Sequence, residues 1–210
     1  MVKNSLALWF FVVCFTLLSL WLLPSVCSAE PKANSTINRC MKYRVQVIRE
    51  ARYHVGPDAP AHEFMGQIET ESRCSEGITA FDGGMGLGQF MPETADWIHG
   101  KETALRDISM QPVPYNPRWS IRAMILYNRW LYQNVDCRDW HYAYRAYNGG
   151  IGILNKEINR AGTCDYQAVD AACKRKIIQL KKGTLNLCSV NTIYPHKIRQ
   201  AGKKYKVATQ

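Results

Sequence analysis

The chain has 210 residues and a formal charge of +10, room for one compact domain with an extension and short for two. The basic balance admits nucleic acid, anionic lipid or an acidic wall polymer as partner, or simply a solubilising surface, and composition does not choose among them. No CxxC pair occurs and the five His are not spaced like zinc ligands, so neither a metal nor a cofactor is expected.

Lys3 supplies a short positive start, and an apolar run from Leu6 to Leu23 follows. Pro24 and "SVCSA" come next, with Ala29 placed for cleavage. The expectation is a signal peptide over 1–29, hence a periplasmic or secreted protein with no stable membrane span after cleavage. The rival is a retained anchor, since the run approaches the roughly 20 residues that cross a bilayer. A lipid-modified Cys27 is disfavoured by bulky Val26 before it. Cleavage leaves a charge of +9 and six of the eight cysteines: Cys40, Cys74, Cys137, Cys164, Cys173 and Cys188. An even count in an exported chain reads as disulfides, in a pairing the sequence leaves open.

Residues 30–37 read as a polar linker, and 38–210 as the folded domain. "INRCMKYRVQVIREARYHVG" repeats apolar residues at three- and four-residue steps and predicts one helix up to Gly56. "DAPAHEFMGQIETES" predicts a second, with Asp58 as N-cap and Pro60 in its first turn. A glycine-rich loop covers 77–91, and Pro92 opens "PETADWIHG". "NPRWSIRAMILYNRWLYQNV" is a long apolar helix, and "DWHYAYRAYNGG" another, stopped by Gly149 and Gly150. No strand alternation stands out, so the domain is mainly α. The part from 151 on, with Cys164, Cys173 and Cys188, reads as helices with a disulfide-tied excursion before a last helix near Asn191.

"ETESRC" sets two carboxylates two places apart, at Glu69 and Glu71. Phe64, Ile68 and Glu71 share one helical face, so Glu71 continues an apolar stripe. Glu69 points about 200° away, four residues before Arg73, the spacing of a surface ion pair. A carboxylate at the edge of an apolar face is partly desolvated, which raises its pKa. Tuned to roughly 6 to 7, it can protonate a leaving oxygen near neutral pH. The plain alternative is a buried glutamate satisfied by hydrogen bonds. In "GLGQFMPETA", Gly86 and Gly88 allow close approach of a ligand, and Gln89 offers a donor and an acceptor. "AYNGG" ends a helix with a phenol, an amide and two glycines.

In this order and spacing these stretches resemble the lysozyme-like lytic transglycosylases, from about residue 38 to 150. The resemblance implies a mainly helical, lysozyme-like domain with a substrate groove. It implies Glu71 as the sole catalytic acid/base, with Ser72 in its signature. It also implies that Gln89, Met91, Tyr147 and Asn148 line the groove. "NTIYPHKI" resembles a late family segment that returns a tyrosine to the site, here Tyr194. Gly88 stands where the family often has Met, a change expected to widen the groove.

The implied substrate is peptidoglycan, cut at the β-1,4 bond between N-acetylmuramic acid and N-acetylglucosamine to give 1,6-anhydromuramoyl products. Asp82 in "FDGG" reads as a turn residue. A goose-type lysozyme-like hydrolase would instead need it to hold a water. A third reading is a non-catalytic wall-binding component of a secretion, pilus or conjugation machine. The export-type start and the lack of a basic-aromatic reading motif argue against nucleic acid.

Overall fold

A computed structural model of the chain describes residues 32–180 and 183–206. The leader expected over 1–29 lies outside the described residues. Among them run nine α-helices, one 3-10 turn and one two-stranded hairpin. Helices α1 (Lys32–Met41) and α2 (Arg44–His54) divide what reads as one helix, and α1 starts inside the stretch expected as a linker. The break comes from long-range ties that periodicity does not register. Cys40 is bonded to Cys74, and the Tyr43 hydroxyl donates to Glu76 Oε2 at 2.5 Å. Both hold this turn onto the loop after α3 (Ala61–Ser72). Pro60, not Asp58, holds the N-cap position of α3, its carbonyl accepting from the N–H groups of Glu63 and Phe64 at 2.8 and 3.1 Å.

After the glycine loop come α4 (Pro92–Lys101), a 3-10 turn (Thr103–Leu105) and α5 (Pro117–Asn134). Asn116 caps α5, its Oδ1 accepting from the N–H groups of Arg118 and Trp119 at 2.9 and 3.3 Å. Pro117 takes the first helical position, where its missing N–H costs nothing. Trp119, Ile121, Met124, Ile125 and Leu131 of α5 are fully buried. Each such side chain contributes about 1.5–3 kcal/mol before entropy is charged, so α5 is the spine of the core. Helices α6 (Trp140–Gly149), α7 (Ile151–Ala161) and α8 (Tyr166–Ala171) build a second apolar cluster around Tyr142, Leu154 and Val169.

Strands β1 (Ile177–Leu180) and β2 (Gly183–Asn186) pair antiparallel, with Ile177 opposite Asn186. This hairpin is a departure from the expected absence of strands. Ile177 and Ile178 are both exposed, so no two-residue alternation marks it in the sequence; the Cys173–Cys188 bond closes its base. The last helix, α9 (Leu187–Lys206), starts earlier than the expected Asn191. Asn186 sets that start, its Oδ1 accepting from the N–H groups of Cys188 and Ser189 at 2.9 and 3.2 Å. The third bond joins Cys137 to Cys164. No described helix is long and apolar enough to cross a membrane.

Two glycines let α9 lie directly on α3. A Cβ on Gly66 would fall 2.3 Å from the Ile198 carbonyl oxygen and 2.5 Å from Gly202 N. One on Gly202 would fall 2.9 Å from the His62 carbonyl oxygen. Any side chain at either place pushes the helices apart. Their close crossing carries the tyrosines of α9 over the carboxylates of α3.

Candidate active site

Helix α3 ends at Ser72 because Arg73 turns left-handed, with φ 51°. The helix therefore never presents Arg73 to Glu69, and the expected ion pair is absent. Glu69 is instead tied to α9: its Oε2 accepts from the Tyr205 hydroxyl at 2.6 Å and its Oε1 pairs with Lys204. Its role is structural, as expected, through a partner that lies far along the chain.

Glu71 follows Phe64 and Ile68 on the buried face and is itself half-buried. Its Oε1 accepts a short hydrogen bond from the Tyr194 hydroxyl. Burial pushes its carboxyl up, the Tyr194 bond pulls it back, and the negative charge of Asp82 pushes it further. The outcome is a pKa of about 7 against an ordinary 4.5.

Behind Tyr194 runs a buried chain of amides. Asn128 Nδ2 donates to the Met124 carbonyl at 2.9 Å and to Gln67 Oε1 at 2.8 Å. Gln67 Nε2 donates to the Tyr194 oxygen at 3.3 Å. The direction of every bond follows from the first. A backbone carbonyl only accepts, so Asn128 must present its NH₂ group. Gln67 must then accept with its oxygen and offer its own NH₂ to Tyr194. The phenol proton is left to Glu71. Burial and the Glu71 charge both raise Tyr194 well above the ordinary phenol value, so it stays a donor. Sequence reading missed Gln67 and Asn128. Their signal is a carboxamide in the apolar stretches "EFMGQIE" and "AMILYNRWL".

The glycine loop folds over this end of α3. A Cβ on Gly86, at φ +68°, would fall 1.9 Å from the Pro114 carbonyl oxygen, so the position admits glycine alone. The Gly88 N–H donates to Ser120 Oγ at 3.1 Å, and its carbonyl accepts from the Tyr147 hydroxyl at 2.7 Å. A Cβ on Gly88 would meet the Phe90 ring at 2.7 Å. The widening expected there is thus absent, because Phe90 and Tyr147 fill the space. Gln89 is left-handed at φ 49° and donates from Nε2 to the Gly86 carbonyl at 2.8 Å. Met91 is exposed at the N-cap of α4.

The structure brings Glu71, Tyr147 and Tyr194 within electrostatic reach of one another. Asn148 is exposed one residue on, its Oδ1 accepting from Asn191 Nδ2 at 3.3 Å. Asn148 and Asp82 line one cavity, which Glu71 does not line. Asp82 accepts from the Gly84 N–H at 3.3 Å, the bond of a turn residue. Ser72 and Tyr194 are both buried. Ser72 is buried with its hydroxyl donated to the Ile68 carbonyl at 3.0 Å, which closes the last turn of α3. Tyr194 is buried beneath Glu71, where it positions the carboxyl. No group of His, Cys, Asp or Glu among the described residues could hold a metal ion.

Comparison with known proteins adds two findings. Residues 50–169 match the family described as Transglycosylase SLT domain. The crystal structure of the 70 kDa soluble lytic transglycosylase SLT70 from Escherichia coli superposes with a TM-score of 0.57 at 20% identity. That match covers 76% of this chain and 24% of the other, so the chain corresponds to about a quarter of that protein's length. The likeness is one of fold, mainly helical and lysozyme-like. No curated protein matches.

Proposed function

The chain belongs to the Transglycosylase SLT domain family, and from that premise we propose that it is a peptidoglycan lytic transglycosylase acting outside the cytoplasm. The bond cut is the β-1,4 link between N-acetylmuramic acid and N-acetylglucosamine. Protonated Glu71 gives its proton to the glycosidic oxygen, and the bond to the muramoyl C1 breaks. Positive charge on the sugar is met by the oxygen of its own N-acetyl group. Glu71, now a carboxylate, takes the proton of the muramoyl 6-hydroxyl. That oxygen closes on C1 to give a 1,6-anhydro ring. Most glycosidases need a second carboxylate as nucleophile or base; here the substrate supplies the nucleophile and Glu71 itself turns base, so one carboxyl suffices. Gln89, Met91, Tyr147 and Asn148 form the proposed sugar-facing wall.

One observation carries this reading: a half-buried carboxyl held near pKa 7 by burial, with a neutral phenol as its donor. Such a group is about half protonated at neutral pH and serves as acid and base in turn. The three disulfides fit an oxidising envelope. A second reading is favoured by the reach of the Asp82 charge to Glu71: a hydrolase in which Asp82 holds the attacking water. Mass analysis of digested sacculi separates the two, because a reducing-end product exceeds the anhydro product by one water. Anhydro products from wild type and from an Asp82→Asn variant support the transglycosylase; reducing ends that vanish in that variant support the hydrolase.

A further inference from the structure

Helix α2 has two unlike faces. Val47, Glu50 and Ala51 are buried on one, where Arg122 of α5 grips Glu50. Val45, Ile48, Arg49, Arg52 and Tyr53 recur at three- and four-residue steps on the other. Those residues line an open depression of about 560 Å³. Val45 is 72% exposed and Tyr53 82% exposed. A lone apolar side chain on a surface is ordinary. Here apolar groups stand in register with cations along one helix.

The charge on this face is one-sided. From Arg39 to Arg52 the sequence carries Arg39, Lys42, Arg44, Arg49 and Arg52 and a single acid, Glu50. Lys42 is offset by Glu76 at 3.3 Å, and the Glu50 charge is matched by Arg122 at 2.8 Å. Arg49 Nη2 comes within 3.6 Å of Glu50 Oε1, yet the Arg49 side chain stays 64% exposed. Arg52 is exposed as well. Arg49 and Arg52 are therefore surplus positive charge on the face that carries Val45 and Tyr53.

A soluble polyanion needs cations alone and would leave Val45, Ile48 and Tyr53 wet. An anionic bilayer takes both kinds of group. Arginine stems lie along apolar surface while their guanidinium groups reach phosphate. A tyrosine ring suits the headgroup level, and aliphatic side chains reach the acyl boundary. We propose that this face of α2 is a docking surface for anionic phospholipid, which holds the folded domain at a bilayer surface. The helix lies on the membrane and does not cross it. Glu71 and the proposed sugar wall stand on other elements, so docking and chemistry are separate.

Arginine footprinting of the full chain tests this. Phenylglyoxal modifies exposed arginines, and mass spectrometry reads each one. Vesicles containing phosphatidylglycerol should protect Arg49 and Arg52 and leave Arg160 on α7 unprotected. Vesicles of phosphatidylcholine alone should protect none of the three. The anionic lipid concentration that half-protects Arg52 should rise about fivefold in Arg49→Gln, the worth of one cation at such a surface. It should rise about tenfold in Val45→Ser/Tyr53→Ser, which takes the apolar contact away. No protection by anionic vesicles, equal protection by neutral ones, or an unmoved midpoint in Val45→Ser/Tyr53→Ser overturns the docking surface. So does equal protection by polyglutamate at matched charge, which would make the face a site for an acidic protein instead.

Discussion

Glu50 and Glu71 are both glutamates set into the helical core, and they have opposite fates. Glu50 on α2 faces α5. Burial pushes its carboxyl up, but His54 and Arg122 overrule burial and hold it at about 2. Arg122 grips it with two nitrogens, Nε at 2.8 Å and Nη2 at 3.1 Å. Glu71 on α3 faces α9, where a phenol is its hydrogen-bond partner, and burial keeps it near 7. The contrast teaches that burial does not make a catalytic acid. Burial without a cation leaves a carboxyl that keeps its proton up to about pH 7. Arginine against Glu50 overrules burial, whereas the Tyr194 hydroxyl lowers Glu71 too little to do so.

The sharpest way to break that comparison is to exchange carboxyl for carboxamide at both sites. Glu71→Gln should lower the rate of product release from sacculi by at least about a thousandfold, because one residue serves as both acid and base. Glu50→Gln should leave the rate per folded molecule near wild type. Unchanged lysis by Glu71→Gln would refute the site. The next largest effect belongs to the joint. Arg122→Met leaves Glu50 buried without its main partner and should cost about 3–5 kcal/mol of stability, read from the midpoint of denaturant unfolding.

Of these two glutamates the sequence singles out only Glu71. Glu71 was legible because Phe64 and Ile68 put it on an apolar stripe, and because "GLGQFMPETA" and "AYNGG" lay downstream. The helix after Pro92 was legible from its opening proline and the one after Asn116 from its apolar run. What escaped was whatever depends on contact between distant segments. Nothing local to Glu69 reveals that Lys204 and Tyr205 will reach it. Nothing local to Gly66 reveals that Gly202 crosses it. The break at Tyr43, the hairpin after Cys173 and the amide chain from Asn128 to Tyr194 have the same origin. Periodicity reports which face is buried and is silent about what buries it.

The two carboxyls should also leave opposite marks on stability as pH changes. Glu50, depressed in the fold, adds stability above its ordinary value of 4.5 and loses it as pH falls toward 2. Glu71, raised in the fold, adds stability below 4.5 and loses it as pH rises through about 7. Between pH 5 and pH 8 wild type should therefore lose about 2 kcal/mol relative to Glu71→Gln, less than the full shift implies because the residue still meets solvent. Thermal melts of both proteins across that interval measure the difference. Parallel curves would mean that Glu71 titrates as an ordinary surface carboxylate.

The smallest change tests the donor itself. Tyr194→Phe removes one oxygen from beneath Glu71 and keeps the ring that packs there. The bond it deletes stabilises the ionised carboxylate, so its loss leaves burial and the Asp82 charge unopposed. The carboxyl must then rise further, not fall. In the proposed mechanism protonated Glu71 is the acid, so kcat/KM should decline as pH passes the carboxyl's pKa. In Tyr194→Phe that decline should move upward by about one pH unit, or about 1.4 kcal/mol. A Gln67→Met variant should move it in the same direction by less, because Tyr194 keeps its hydroxyl but loses the amide that aims the proton. A merely structural role for either residue would lower the rate without moving the pH profile. A shift to lower pH would mean that Tyr194 does not donate to the carboxylate.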